Sequence, residues 1–514
     1  MSTPRHYITT TIPYVNARPH LGFALELVQA DALARHHRHR GDRVRLLSGT
    51  DENSLKNVLA AEAAGADVRS FVDRNADAFA ALRGQLGLSY DDFIRTSSDP
   101  RHRVGVERLW RRCAEAGDLY RKEYEGLYCV GCEQFYTPGE LVDGRCAEHG
   151  TEPQPVAEEN WFFRLARYGD RIRELITSGA LRIQPAGRRN EVLALLEGGL
   201  RDLSVSRSHH RARGWGIPVP DDPSQVVYVW WDALGNYVTS LGYGTGDSAH
   251  DRWWGSEGRR VHLVGKGVVR FHAVYWPAIL LSAGLPLPTD ILVHDYLTVD
   301  GRKISKSAGT TVDPAALAET HGADAVRWWL LRDVPRTGDA DFTSDRLAAR
   351  ADADFAGGLG NLVHRVVTMV HRFRDGAAPT PSAAALPGGS ELADVCRNVP
   401  GLVDAALADF DFRRATRTVW RIVEEANRYI DATRPWEPAR RERQGDVEAR
   451  ARLDEILAAL VGACRVLADE LSPFVPDAAQ RIAAALTPVE GTLPAAKPLF
   501  PRLREGEGTA RRPV

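Results

Sequence analysis

The chain has 514 residues, 44% of them hydrophobic and 26% charged, a composition typical of a globular protein with real cores. Its length predicts about two to four domains, and six cysteines in a chain of this size exclude a disulfide scaffold. A net charge of -2, from 66 basic and 68 acidic residues, gives no support for a nucleic-acid partner, although local basic patches remain compatible with one.

The start of the chain predicts a βαβ unit. The β-branched run Tyr7–Ile12 predicts a buried strand, and a helical pattern follows from Leu21 to about Arg40, where Gly41 supplies the stop. Arg43–Leu47 predicts a second strand. Strand, helix and strand in this order form the unit of a parallel nucleotide-binding sheet.

The same pattern resumes later, with buried strands predicted at Val226–Trp230 and Val261–Val264. The segment from Tyr120 to Pro220 has few long apolar runs and several turns bounded by glycine, and it predicts an insertion into the sheet domain. From about Ala349 the chain is predicted to be helical. The clearest helical periodicities lie at Leu359–Val370, Ala415–Ile430 and Leu453–Leu471. A loop is predicted at Asp375–Ser390 and a frayed tail at Arg504–Val514.

Three clusters carry candidate chemistry. His20 and Gly22 lie between the first strand and the first helix, where an imidazole and helix N–H groups suit nucleotide phosphates. Gly301–Gly309 is a lysine- and serine-rich loop that suits the charge on a departing diphosphate. Taken singly, the first cluster is more often an ordinary loop histidine and the second a solvated turn.

The third cluster has metal-ligand spacing. Two short knuckles, separated by a stretch rich in turn residues, offer three thiolates and one imidazole, which match a closed tetrahedral zinc site that is structural and not catalytic. The alternative is a chance cluster. Clustered thiols, with no visible signal peptide or membrane-spanning segment, lead us to expect a cytoplasmic protein without a membrane partner. The expected zinc ligands are Cys129, Cys132, Cys146 and His149.

Considered together, the histidine motif and the distant lysine loop resemble the signature of class I aminoacyl-tRNA synthetases. Further stretches narrow the resemblance to the methionyl-tRNA synthetases, and it extends from about residue 5 to the region of Trp436. These stretches are Pro13–Asn16, Gly49–Glu52, Tyr228–Ala233 and Phe271–Pro277.

The resemblance implies a methionine–tRNA ligase that converts L-methionine and ATP, with Mg²⁺, to methionyl-adenylate and transfers the acyl group to the 3′ end of tRNA(Met). Asp51 would bind the substrate ammonium. Taken alone, an aromatic residue of the kind assigned to the methionine side-chain pocket is more often part of an ordinary hydrophobic core. The methionine side chain would contact Ile12, Tyr14, Trp230, Tyr237, His272 and Trp276. The catalytic residues would be His20, Lys303 and Lys306. ATP would contact these three catalytic residues together with Gly22, Ser305 and Ser307.

The resemblance also implies a fold and a tRNA site. It predicts a Rossmann-like parallel α/β catalytic domain with an inserted zinc-knuckle domain, followed by an all-α anticodon-binding helical bundle. An indole stacks on a splayed base while amide and guanidinium groups bond base edges, although a capping Asn and a half-buried Trp explain the same residues. The anticodon-binding residues would be Asn361, Arg365, Asn427 and Trp436. The expected boundaries are 1–118 and 223–300 for the catalytic domain, 119–222 for the insertion, 301–348 for the lysine loop and stem-contact region, 349–503 for the bundle and 504–514 for the tail.

Four positions depart from the family pattern. Phe23 replaces a usual second histidine, Asn53 and Ser54 replace His-Gly, and Gly267 replaces an aspartate near the ribose. These changes motivate a second hypothesis, a tRNA-independent amino-acid-adenylating biosynthetic paralogue, which the retained anticodon set argues against. A non-catalytic paralogue is a third hypothesis, and the intact lysine loop argues against it. Because the chain ends soon after the predicted bundle, we expect a monomer.

Overall fold

The computed structural model describes residues 3–131, 133–147, 150–255, 257–304, 311–379 and 391–503, with only the backbone of Gln134 and Lys303. The chain forms two compact units. The first contains the residues up to Ala30, Arg40–Gly84 and Leu88–Asp295, and the second contains Asp31–His39, Gln85–Gly87 and the chain from Tyr296. No helix in the described part of the chain is long and apolar enough to cross a membrane.

The strands are β1 (Arg5–Thr9), β2 (Arg43–Thr50), β3 (Asp92–Arg95), β4 (Leu119–Cys129), β5 (Gln134–Tyr136), β6 (Gln154–Phe163), β7 (Arg182–Gln184), β8 (Leu203–Ser204), β9 (Ser206–Ser208), β10 (Pro218–Val219), β11 (Asp222–Val227), β12 (Arg259–Gly265), β13 (Asp290–His294), β14 (Leu297–Val299), β15 (Arg302–Lys303) and β16 (Ala340–Asp341).

The helices are α1 (Leu21–His39), α2 (Leu55–Ala63), α3 (Val68–Gln85), α4 (Pro100–Glu115), α5 (Gly169–Thr177), α6 (Ala186–Glu197), α7 (Val229–Thr239), α8 (Ser248–Trp254), α9 (Trp276–Ala283), α10 (Pro314–His321), α11 (Ala323–Arg332), α12 (Ser344–Ala351), α13 (Asn361–Arg374), α14 (Glu391–Ala408), α15 (Phe412–Thr433), α16 (Trp436–Glu442), α17 (Val447–Leu471) and α18 (Pro476–Ala485). Short 3₁₀ turns lie at Pro138–Glu140, Leu165–Tyr168 and Lys266–Val268, and π-helical turns lie at Phe271–Tyr275 and Asp352–Gly360.

A parallel six-stranded sheet forms the centre of the first unit, in the order β3-β2-β1-β12-β13-β7. The predicted parallel sheet is therefore confirmed, with β1 ending at Thr9 rather than Ile12. Its central strands are buried on both faces, as is usual in parallel sheets, and Ile8, Leu47 and Leu263 are 0% exposed. The carboxyl ends of such strands meet at one edge, where ligands bind in sheets of this kind.

The expected insertion contributes to more than one sheet. Its strands form an antiparallel sheet in the order β5-β4-β6-β8, which carries the cysteine segment. One of its strands, β7, instead pairs with β13 and extends the parallel sheet.

The strand predicted at Val226–Trp230 is wrong in part. β11 ends at Val227 and belongs to a small antiparallel sheet with β9 and β10, while Trp230 lies in α7. The apolar run Val226–Trp231 contains the last residues of a buried strand and the first turn of a buried helix. Periodicity alone does not separate these two structures in so short a run.

The second unit is mainly helical, as predicted after Ala349. The three predicted periodicities fall in α13 and the π turn before it, in α15 and in α17. Their apolar faces form its core, in which Val366, Val419 and Leu460 are 0% exposed. Residues 375–379 of the predicted loop form a turn and coil, whereas 380–390 and the tail from Arg504 lie outside the described residues.

Candidate functional site

Asp51 follows β2 directly, at the carboxyl edge of the parallel sheet. Its N–H donates to the Pro13 carbonyl (2.9 Å), and it forms a parallel bridge with Tyr14. The side chain is buried, and its Oδ1 has no hydrogen-bond partner among the described residues. Burial, followed by the nearby charges of Asp232 and Glu133, raises the pKa of this carboxyl well above its usual range. In its charged form, this carboxylate has no neutralising cation among the described residues.

The loop after Asp51 is tied to α7. The Asn53 amide donates to Asp232 (2.7 Å), and Asp232 is also bonded to His102, whose Nδ1 lies 2.8 Å from the Thr239 hydroxyl. The sequence analysis missed this chain of contacts. The available signal was a polar residue, Asp232, at the end of an apolar run, and its helical position became visible only in the structure.

Ser54 connects the same loop to the cysteine segment. Its hydroxyl accepts from the Lys56 N–H (3.0 Å), which caps α2, and donates to Glu133 (2.7 Å). Glu133 is 4% exposed and is also bonded to the Tyr128 hydroxyl. Asn53 and Ser54, which depart from the family pattern, therefore both have specific partners, and Glu133 is a second residue that the sequence analysis missed.

Four of the expected pocket residues pack together: two lie on α7, one in the π-helical turn Phe271–Tyr275 and one at the start of α9. Tyr237, His272 and Trp276 are nearly fully buried, and Trp230 is half-buried and stacks on Phe271, with ring centroids 3.7 Å apart. The Trp276 ring lies 6.0 Å from that of Tyr237. Ile12 and Tyr14 pack against the same hydrophobic core.

The tautomer of His272 follows from its two partners. Nδ1 lies 2.9 Å from the Val268 carbonyl, which only accepts, so Nδ1 carries the proton and Nε2 accepts from the Tyr237 hydroxyl (2.8 Å). Burial lowers the pKa of His272 to about 4, so the ring is neutral near neutral pH. His272 lies in the π-helical turn Phe271–Tyr275, a geometry that often occurs at functional sites.

The expected phosphate-binding turn precedes α1. A Cβ on Gly22 would lie 3.0 Å from the His20 ring, so glycine leaves room for that ring. Phe23 is 7% exposed and packs edge-on against Phe79, with centroids 5.5 Å apart. Where the family pattern has a second histidine, this chain therefore has a core aromatic contact. One turn later, Glu26 accepts from Thr11 and lies 2.9 Å from His294 Nε2.

The described residues contain only part of the lysine loop. The Lys303 backbone belongs to β15 and pairs with Thr298. Ser305, Lys306 and Ser307 lie outside the described residues. Their expected roles stay predictions from the sequence.

Half of the expected zinc ligands are described. Cys129 and Cys146 are buried and form no disulfide among the described residues. The Cys129 sulfur lies 3.9 Å from the Thr151 hydroxyl, the Cys146 N–H donates to the Thr151 carbonyl (2.9 Å), and the Cys146 sulfur lies 3.8 Å from the Tyr136 hydroxyl. Cys132 and His149 lie outside the described residues.

The expected anticodon residues lie in the second unit. Arg365 donates to the Asn427 side chain (3.0 Å), and Asn361, one turn before it on α13, is exposed. Trp436 is 48% exposed at the start of α16 and makes no ring contact with this pair among the described residues. The structure thus brings Arg365 and Asn427 together and leaves the indole accessible.

Comparison with known proteins gives matches over most of the chain. The family model described as tRNA synthetases class I (M) matches residues 6–148 and 131–367. A methionine–tRNA ligase from Caldanaerobacter subterraneus subsp. tengcongensis is 41% identical over 93% of this chain and 73% of its own length. The corresponding ligase from Mycobacterium tuberculosis is 40% identical over 93% of this chain and 91% of its own length.

The solved structures agree. The Mycobacterium tuberculosis methionyl-tRNA synthetase bound by methionyl-adenylate superposes with a TM-score of 0.90 at 37% identity, covering 97% of this chain and 100% of that one. Its ligand-free form gives a TM-score of 0.83 at 34% identity, covering 98% and 99%. The sequence resemblance is therefore confirmed, and this chain belongs to the methionyl-tRNA synthetases of class I.

Proposed function

We propose that this chain is a methionine–tRNA ligase. The observation that carries the proposal is the Asp51 carboxylate, buried at the carboxyl edge of the parallel sheet with one oxygen that has no partner among the described residues. An α-ammonium group supplies the missing cation and hydrogen-bond donor. The aromatic residues of the same core suit an unbranched thioether, because sulfur packs well against ring edges.

The reaction has two steps. The methionine carboxylate oxygen attacks the α-phosphorus of ATP, which breaks its bond to the bridging oxygen and releases diphosphate. A ribose hydroxyl at the tRNA 3′ end then attacks the acyl carbon of methionyl-adenylate, and AMP leaves. Both steps depend on positioning and on stabilisation of developing charge. Mg²⁺ accompanies the ATP phosphates.

We assign the residues as follows. Asp51 binds the ammonium, while Ile12, Tyr14, Trp230, Tyr237, His272 and Trp276 surround the side chain. His20 and Gly22 contact the ATP phosphates at the start of α1, where helix N–H groups favour anions. Lys303, Ser305, Lys306 and Ser307 complete the ATP site, and the two lysines stabilise the departing diphosphate.

A structural zinc ion fits the cysteine segment. Cys129 and Cys146 are both buried and both contact Thr151, Cys129 through its sulfur and Cys146 through its backbone N–H, and the remaining ligands would be Cys132 and His149. Thiolate and imidazole ligands suit zinc and stabilise a short segment of this kind. Buried cysteines that form no disulfide among the described residues agree with a reducing compartment, and we place the protein in the cytoplasm. Elemental analysis is expected to give about one zinc per chain, and purified protein that lacks zinc while all thiols are reduced contradicts the assignment.

The helical bundle supports tRNA as the acyl acceptor. Asn361, Arg365, Asn427 and Trp436 would contact the anticodon through the exposed amide, the guanidinium held by Asn427 and the accessible indole. A tRNA-independent paralogue is not favoured, because the curated methionine–tRNA ligases match over 93% of the chain, bundle included.

The test is amino-acid-dependent ATP–diphosphate exchange, followed by aminoacylation of total tRNA. Methionine is expected to support both reactions better than leucine, isoleucine or homocysteine. Exchange that is fastest with an amino acid lacking a thioether overturns the substrate assignment. Methionine-dependent exchange without tRNA charging overturns the ligase assignment.

A further inference from the structure

A row of exposed arginines follows one face of α15. Arg413, Arg417 and Arg421 are spaced four residues apart, so their side chains lie on the same side of the helix. They line an open groove together with Arg332, Arg336 and Arg414. We name Arg413, Arg417 and Arg421 the arginine row.

The groove carries a marked positive excess. Six arginines and two carboxylates, Asp411 and Glu424, line it, although the whole chain has a net charge of -2. Asp411 accepts from the Arg414 N–H as the cap of α15, and Arg414 is paired with Asp409. Among the described residues, no carboxylate forms an ion pair with any member of the arginine row.

This arrangement is unfavourable for α15 by itself. Like charges four residues apart repel each other on a helix. Positive side chains in a first turn also oppose the helix dipole, and α15 has no acidic residue in its first turn. By contrast, Arg428 on the same helix is paired with Glu425 at 2.7 Å. A row that lacks such partners suits a polyanion that supplies the counter-charges.

The position of the row suggests which polyanion binds. Arg421 precedes Asn427 by six residues, about 9 Å along the helix axis, and Arg413 precedes it by about 21 Å. Asn427 holds Arg365, a proposed anticodon-reading residue. Successive members of the row are about 6 Å apart along the axis, which lets neighbouring members contact different phosphates of one strand.

We propose that the arginine row binds the phosphate backbone of the tRNA stem next to the anticodon loop, independently of sequence. The inference rests on the proposed function for its choice of partner. Phosphate contacts fix the position of a nucleic acid, and base contacts give specificity. The row therefore positions the tRNA, while Asn361, Arg365 and Trp436 read bases.

The test uses the full-length protein and a triple variant, Arg413→Gln with Arg417→Gln and Arg421→Gln. Binding of tRNA(Met) and of a non-cognate tRNA is measured directly by filter binding over a range of salt concentrations. We expect affinity to fall roughly tenfold or more at low salt, by a similar factor for both tRNAs. The slope of log affinity against log salt should become shallower by about 0.7–0.9 for each lost contact.

A matched control removes the same charge elsewhere. Arg103, Arg397 and Arg452 are exposed arginines already paired with Glu107, Asp394 and Glu455, and all three are changed to Gln. This control should retain most of the affinity and of the salt slope. Methionine-dependent ATP–diphosphate exchange should stay unchanged in both variants, which shows that the proteins are folded.

The outcomes separate the two proposals. If the wild-type protein charges tRNA but the row variant binds both tRNAs with unchanged affinity and slope, the arginine-row proposal is overturned and the ligase assignment stands. An equal loss in the control variant also overturns it, because general charge then explains the effect. If the row variant loses binding but the wild-type protein charges no tRNA, the ligase assignment fails while the backbone-binding surface is supported.

Discussion

At the scale of single residues, Asp51 is a buried carboxyl group without an ion-pair partner among the described residues. Folding raises the pKa of Asp51. The free energy of unfolding is therefore lowered at pH values above the raised pKa, and this loss of stability disappears below the pKa of the unfolded chain. The ammonium of a bound amino acid removes that loss of stability. Asp51 thus lowers the stability of the ligand-free protein and raises its affinity for the amino acid.

Replacement of Asp51 by Asn should separate these two effects. Near neutral pH we expect Asp51→Asn to raise the Tm of the ligand-free protein, because no charge remains to be buried. Methionine-dependent exchange should fall in kcat/KM by about 10- to 100-fold or more, from loss of a charged hydrogen bond worth about 1.5–3 kcal/mol. Asp251→Asn, at a carboxylate that is 92% exposed, is the control and should change neither quantity. A lower Tm for Asp51→Asn would contradict the burial argument.

His272 should make the protein sensitive to acid. Folding lowers the pKa of His272 from near 6.5 in the unfolded chain to about 4. Between these two pH values the unfolded chain binds a proton that the folded protein does not. Stability is therefore lost as pH falls through this window, by about 2 kcal/mol at about pH 5.

The variant His272→Gln, compared with wild type by urea unfolding near pH 7 and pH 5, should remove this part of the loss. The exposed His39 provides the control, since His39→Gln should leave the wild-type pH dependence in place. Equal pH dependence in wild type and His272→Gln would show that the histidine is not buried in neutral form.

At the scale of elements, the Ser54–Glu133 contact joins α2 to the antiparallel sheet that carries the cysteines. Ser54→Ala should cost about 1 kcal/mol through loss of the helix cap, and more because a buried carboxylate loses a donor. Thermal unfolding of Ser54→Ala, Glu133→Gln and the double variant should give a coupling energy above about 0.5 kcal/mol. The KM for methionine should rise more than kcat falls, because Asp51 belongs to the same loop.

Thr343→Ala provides the comparison for this contact. Thr343 caps α12 by accepting from the Arg346 N–H (3.2 Å), so its loss should cost only the cap. Strictly additive losses for Ser54→Ala and Glu133→Gln would show that the contact does not link the two elements.

The secondary-structure elements differ in how well they could be predicted from the sequence. α1 and β1 were predictable because a long helical run that ends before Gly41 and a β-branched run at Tyr7–Ile12 are both recognisable from local sequence. Asp51 was predictable because it follows a strand within a recognisable stretch. The start of α7 was not, since its first turn continues the apolar run of β11. Asp232, His102 and Glu133 depend on contacts between distant segments, which no local pattern encodes.

At the scale of the whole chain, Arg327 joins distant segments of the second unit. It is fully buried, lies 2.8 Å from Asp31 and donates to the carbonyls of Leu86, Pro473 and Phe474. The chain segments at residues 31, 86, 327 and 474 therefore share one guanidinium. Arginine suits this position because its planar fork offers several donors in fixed directions.

Arg327→Leu should destabilise the protein by up to about 3–5 kcal/mol in urea unfolding, because buried Asp31 loses one of its two arginine partners, Arg327 and Arg35, and three buried carbonyls lose a donor. The double variant Arg327→Leu/Asp31→Leu should recover part of this loss. As a control, the exposed pair of Arg103 with Glu107 is expected to contribute at most about 1 kcal/mol, so Arg103→Ala should have little effect. A double variant less stable than Arg327→Leu would show that Asp31 has enough other partners.

The π-helical turn Phe271–Tyr275 has a consequence for how the gene tolerates change. Removing one residue from that turn restores ordinary α-helical spacing and leaves the direction of the later side chains on α9 unchanged, while the residues of the turn itself are repositioned. His272 would then lose its contacts with Tyr237 and Val268. In-frame single-codon deletions are usually harmless in loops. In this turn, selection should eliminate them even though the shortened helix folds well. A deletion scan across codons 265–285, with growth as the readout, should show this segment as a sharp minimum.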